Sequence, residues 1–142
     1  METNTGTEIT PRKSFTRFFP HIARVLMGLA FLFFGVMSFT MKPPENLPEK
    51  IKTVNTGLMV GGYLYVASGA MALGGLLLLI NRFVPLALAL IAPVLVGILT
   101  FHIATSPGMI VPGVVLSVIE LYLAWSYRAA FRPMLSAKVT PA

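Results

Sequence analysis

The sequence predicts an all-α fold, an integral membrane four-helix bundle, and three observations lead there. Of its 142 residues, 56% are apolar and only 11% charged, where soluble chains run near 45–50% apolar and about a quarter charged. Four apolar stretches approach the roughly 20 helical residues that cross a hydrocarbon core about 30 Å thick. The basic residues gather at the ends of those stretches, as membrane orientation requires. A length of 142 residues fits one domain.

The expected helices cover about 20–40, 58–80, 83–104 and 109–127. Around them lie a polar N-terminal tail, 1–19, and a C-terminal tail, 132–142, flanking a transmembrane domain at 20–131. The first dozen residues are polar and aperiodic and are expected to be disordered. The first span reads as a retained anchor, because "MSFTMKPP" lacks the small-x-small pattern of a signal cleavage site. Asn81-Arg82 makes a tight hairpin, after which Pro85 falls in a first helical turn, where a missing N–H costs nothing. Ser106-Pro107-Gly108 turns the chain again, with Pro112 placed likewise. Pro93 lies inside the third helix and is expected to kink it.

Lys and Arg counts set the direction. Arg12, Lys13, Arg17, Arg24, Arg82, Arg128, Arg132 and Lys138 fall on one side, against Lys42, Lys50 and Lys52 on the other. Both termini are therefore expected in the cytoplasm. The loop Lys42–Asn55 then lies outside, and Leu47–Gly57 is a candidate short interfacial helix.

Between helices in lipid, small and polar residues mark the packed faces. His21, Arg24, Gly28, Phe31, Gly35 and Ser38 form such a stripe on the first helix, and Gly113, Ser117, Glu120, Ala124 and Tyr127 on the fourth. The second helix offers Gly57, Gly61, Ser68 and Gly75, and the third Pro93, Gly97, Thr100 and Ala104.

Arg24 and Glu120 are the charges inside these runs. Arg24 sits roughly 6 Å and Glu120 roughly 10 Å from the cytoplasmic side, at 1.5 Å per residue. Each charge alone at mid-bilayer costs on the order of 3 kcal/mol. The expectation is an Arg24–Glu120 ion pair bridging helices one and four. Three roles stay open: fixing helix register, binding a polar head group such as a quinone or moving a proton, and a snorkelling arginine beside a protonated carboxyl that never meet.

His21 and His102 fall at opposite ends of the bundle, roughly 25–30 Å apart, so one haem cannot take both. His102 reads as an interfacial or capping residue, or, with Tyr63 and Tyr65, as the edge of an outer-side quinone or haem site. Those tyrosines equally fit an interfacial aromatic belt. The chain has no cysteine, which excludes thiolate catalysis, zinc–thiolate sites and cysteine-ligated clusters. Gly61-Gly62 and Gly74-Gly75 fall in apolar helix, so they read as packing glycines rather than a phosphate cradle. The basic residues form no nucleic-acid patch. No catalytic residue and no metal site is indicated.

The stretches "RVLMGLAFLFFGVMSF", "GGYLYVASGAMALGGLLLLINRFVPLALALIAPVLVGILTFH" and "IELYLAWSYRAAFRPML" resemble the DoxX-like family of small bacterial membrane proteins, over nearly all the chain beyond residue 20. The resemblance implies a multi-pass protein of the bacterial cytoplasmic membrane. Some relatives are subunits of thiosulfate:quinone oxidoreductases, and others associate with membrane oxidoreductase complexes. Two positions depart from the family pattern: Met71 stands where many relatives carry glutamate, and Gly97 where many carry asparagine.

The first expectation for function is thus a non-catalytic membrane subunit or anchor of a quinone-linked redox complex. Quinone is the one cofactor in view, and the partners are membrane lipid together with an oxidoreductase or further copies of the chain. The alternative is a small carrier or permeability protein that uses Arg24 and Glu120 along a polar path. A stand-alone enzyme ranks last.

Overall fold

A computed structural model describes residues 18–40 and 44–134. Among them every regular element is helical: α1 Phe19–Thr40, α2 Glu49–Val60, α3 Tyr63–Leu79, α4 Val84–Thr105, α5 Val111–Ser126 and α6 Arg128–Phe131, with a 3₁₀ turn at Pro107–Met109 before α5. Residues 1–17 and 135–142 of the tails read from sequence, with Arg12, Lys13, Arg17 and Lys138, lie outside the described residues, as does Lys42.

Two helices, α1 and α4, are long and apolar enough to cross a membrane, and a third span exists if α2 and α3 count as one bent unit. The expected helix over 58–80 is in fact divided. Gly61 closes α2, Gly62 takes a left-handed φ of 73°, and α3 starts afresh at Tyr63. The two helices meet at 78°. A glycine pair permits this corner because residues with a Cβ are penalised in that conformation. Gly61-Gly62 is therefore a turn rather than a packing site, and Gly57 leaves the proposed stripe, since a Cβ there would meet nothing within 4 Å. Gly62→Ala is expected to destabilise the corner by about 1 kcal/mol, read as a lower thermal midpoint in detergent. The interfacial helix expected at Leu47–Gly57 runs instead from Glu49 to Val60, with none of its residues buried.

The fourth segment is shorter than expected. Helix α5 has 16 residues, about 24 Å at 1.5 Å per residue, because Pro107–Met109 forms its own turn and the helix breaks at Tyr127. Pro85 and Pro112 do occupy first turns, and α4 stays helical on both sides of Pro93.

Asn81-Arg82 closes α3 with a Schellman motif. Asn81 adopts φ 56°, its N–H donates to the Leu78 carbonyl at 3.2 Å, and Arg82 N–H donates to Leu77 at 3.2 Å. Both bonds satisfy carbonyls that a helix end would otherwise leave open.

The helices alternate in direction. Arg24 meets Leu78, Gly28 faces Gly75 and Phe39 lies against Tyr65, so α1 and α3 are antiparallel. Gly74 faces Ala87 and Ile91, Gly113 faces Ile98 and Leu99, and the Phe19 ring meets Tyr122 edge-on at 5.7 Å. Thus α1, α3, α4 and α5 form a closed ring of neighbours. One end of this ring carries Phe19, Arg82 and Trp125, and the other carries α2.

The α1–α3 seam is the closest. A Cβ on Gly35 would lie 2.5 Å from the Ala72 nitrogen, and one on Gly75 would overlap the Leu32 nitrogen. Gly74 is the hole for the Ile91 side chain, 2.8 Å from where its Cβ would stand. Of the expected first-helix stripe, Arg24, Gly28, Phe31 and Gly35 are buried, while His21 and Ser38 are exposed. The third stripe fails. Pro93, Thr100 and Ala104 are exposed, and α4 packs through Val84, Ala87, Leu88, Ile91, Val94 and Leu95. The physical reason is complementarity: glycine on α3 makes room for aliphatic bulk on α4, so only one partner needs small residues. Outward-facing Leu26, Leu29, Val96, Val118 and Leu121 surround this core, the pattern of a lipid-facing surface.

Candidate functional site

Two polar features stand out against the apolar helices, and a hydrophobic layer lies between them. The first is at the Arg82 end. Arg24 and Glu120 are 7% and 8% exposed. The Phe19–Tyr122 contact sets the α1–α5 register. It puts Arg24 about 7.5 Å and Glu120 about 3 Å inward from that contact. Side chains lean toward their own helix N-terminus, so the two converge from antiparallel helices. Even so, the Arg24 guanidinium is committed elsewhere: Nη1 donates to the Leu78 carbonyl. That oxygen also accepts from Asn81 N–H, which fills both its lone pairs. Arg24 Nε is buried with no hydrogen-bond partner. Among the described residues the guanidinium thus ties α1 to the end of α3 and makes no ion pair with Glu120. Inspecting apolar runs for acidic partners misses this. The cue was the hairpin itself, because a helix ending at Asn81 presents open carbonyls.

The second feature is a cavity of about 780 Å³ toward the α2 end. Phe31, Met71, Val94 and Leu116 line its deeper part, and Asn55, Tyr63 and His102 its α2 end. The residue positions explain the gradient: Tyr63 opens α3, His102 lies in the last turn of α4, and Asn55 comes from α2. Ser38 and Ser68 also line it, but their hydroxyls already donate to Phe34 and Leu64 carbonyls of their own helices, at 2.7 and 2.6 Å. The polar functions offered to a ligand are thus the Tyr63 hydroxyl, the Asn55 amide, one edge of the His102 ring and the two serine oxygens, which can still accept.

Tyr63 and His102, paired in the sequence reading, do line one cavity, whereas Tyr65 turns away and lies against Phe39, ring centroids 6.5 Å apart. Met71 and Gly97 line it as well. Gly97 has a specific consequence: the space a Cβ would need is occupied by the Tyr63 hydroxyl. The missing side chain is what lets this phenol lie across α4. His102 lies five residues beyond Gly97, about 7.5 Å further along the axis toward the α2 end.

Between the features, Met27, Phe31, Leu88, Ile91 and Leu95 are each between 0 and 2% exposed. No cluster of three His, Asp or Glu residues that could hold a metal ion occurs among the described residues. His21 begins α1 and His102 ends α4, at opposite ends of the ring.

Fold and cavity together define a class: an all-helical protein with membrane-length apolar helices and an amphipathic cavity open on one side. No family model, curated protein or solved structure matches the chain.

Proposed function

We propose that the chain is a DoxX-like four-helix protein of the bacterial cytoplasmic membrane that holds a quinone for a redox complex and performs no chemistry of its own. The observation that carries this reading is the cavity, apolar within and polar at one end, whose polar groups can grip a ring head while the walls accept hydrocarbon. The α2 end is then the outer face. Arg82 over the Phe83 ring at 6.0 Å and Arg128 over Trp125 at 4.7 Å make a basic aromatic belt at the other end, which suits the cytoplasmic interface.

The carrier reading is weaker on physical grounds. A polar solute would have to pass from the cavity to Arg24 and Glu120 through the layer of Met27, Phe31, Leu88, Ile91 and Leu95, which offers it no hydrogen bond.

The test is equilibrium dialysis of the purified protein, in mild detergent, against a short-tailed benzoquinone and a short-tailed naphthoquinone, each oxidised and reduced, with extraction and identification of co-purifying lipids. Saturable binding at one site per chain is expected, and the absence of any saturable binding sinks the proposal. Gly97→Val is expected to weaken that binding at least tenfold, about 1.4 kcal/mol. The added branch displaces the Tyr63 phenol and fills the space beside it. Helix content by circular dichroism should stay unchanged.

A further inference from the structure

We infer that the cavity selects the reduced, hydroxyl-bearing form of its ring ligand, a quinol, over the oxidised quinone; the inference rests on the quinone reading above. The deciding group is His102. Its Nδ1 lies 2.8 Å from the Ile98 carbonyl oxygen, one turn back on α4. A carbonyl can only accept, so Nδ1 carries the hydrogen and donates it. In the neutral imidazole the opposite nitrogen, Nε2, is then a bare acceptor. The Phe101 ring stands edge-on beside the imidazole, with centroids 5.6 Å apart, and helps hold it in place.

A quinone carbonyl brought to Nε2 sets lone pair against lone pair. A quinol hydroxyl brought to the same place donates a hydrogen bond. The Tyr63 hydroxyl and the Asn55 amide both donate and accept, so they serve either form; the choice falls to the groups left only to accept, His102 Nε2 foremost and the Ser38 and Ser68 oxygens in the same sense. Binding alone is at issue, and no electron or proton changes hands in the cavity. The shared chemistry is a phenolic hydroxyl on a lipid-soluble ring, which a benzoquinol and a naphthoquinol both carry.

The experiment is anaerobic equilibrium dialysis of the full chain at pH 8 with a short-tailed benzoquinone and a short-tailed naphthoquinone. Each is held either oxidised or reduced, and dodecanol serves as a ringless hydroxyl. For whichever ring fits, the quinol is expected to bind at least tenfold tighter than its quinone. That ratio raises the two-electron potential of the bound couple by about 30 mV. The benzo- and naphtho- arms identify which ring is taken, and either one showing this ratio supports the inference. His102→Leu should bring the two oxidation states to within about twofold by weakening the quinol alone. If that variant does not fold, the ratio measured on the unaltered chain decides by itself. Equal or tighter binding of the quinone overturns the inference and leaves the quinone reading standing. Dodecanol matching the quinol overturns the ring assignment. Binding of neither oxidation state overturns the quinone reading and the inference with it.

Discussion

Gly75→Ala is expected to separate α1 from α3, although it adds one methyl group. The added Cβ would overlap the Leu32 nitrogen and stand 2.8 Å from the Gly28 carbonyl oxygen, with the Leu32 Cα at 3.0 Å. All three are backbone atoms, so no rotamer change can relieve the contact and the helices must move apart. Overpacking of a tight core costs roughly 1–3 kcal/mol, and a purely backbone collision belongs at the upper end. The loss spreads along the seam, because Gly35 and Ala72 meet at the same close approach and Arg24 reaches Leu78 across it. Gly69→Ala is the control. It lies on the same helix with nothing within 4 Å of the new Cβ, and replacing a helical glycine should stabilise by about 0.5–1 kcal/mol. Detergent-resistant thermal unfolding of the two variants should move in opposite directions. A Gly75→Ala midpoint equal to that of the unaltered chain would show that the seam is not closed as described.

The seam also shows where sequence reasoning reaches and where it stops. Composition and apolar run length were enough for an all-helical chain with membrane-length segments, because burying backbone in lipid leaves few alternatives. The buried members of the α1 stripe were legible too, since glycine and arginine are anomalous in apolar helix and anomalies have to be packed. Three things were not legible. The division at Gly61-Gly62 was hidden because a glycine pair reads alike as a packing site or a turn until φ is known. The packed face of α4 was hidden because Leu, Ile and Val serve lipid and core equally, and only Gly74 opposite Ile91 decides which side is inward. The cavity was half legible: Tyr63 and His102 could be grouped by their shared end of the bundle. Their separation from Tyr65, and the opening that Gly97 gives the phenol, depend on side-chain direction across three helices.

Arg24→Glu is expected to cost about 3 kcal/mol or more, and adding Glu120→Arg is not expected to restore what is lost. Were Arg24 and Glu120 simply an ion pair, exchanging their charges would preserve the attraction and rescue the fold. The hydrogen bonding argues otherwise, because Arg24 Nη1 donates to the Leu78 carbonyl at the end of α3. A carboxylate at position 24 has no hydrogen to give and sets its negative charge against that oxygen. It also faces the negative pole of the helix C-terminus, where a cation is favoured. An uncompensated charge buried this way costs about 3–5 kcal/mol. In the double exchange an arginine at position 120 starts from α5, and nothing places its guanidinium against Leu78. Arg24→Lys separates the contributions, because it keeps one donor and the positive charge while surrendering the planar fork. It should therefore retain most of the stability. Measured by thermal unfolding in one detergent, the expected order is unaltered chain, Arg24→Lys, then both Arg24→Glu and the double exchange together. Recovery of the double exchange to the level of Arg24→Lys would assign the stabilisation to Glu120 instead. The cationic tie to α3 would then be incidental.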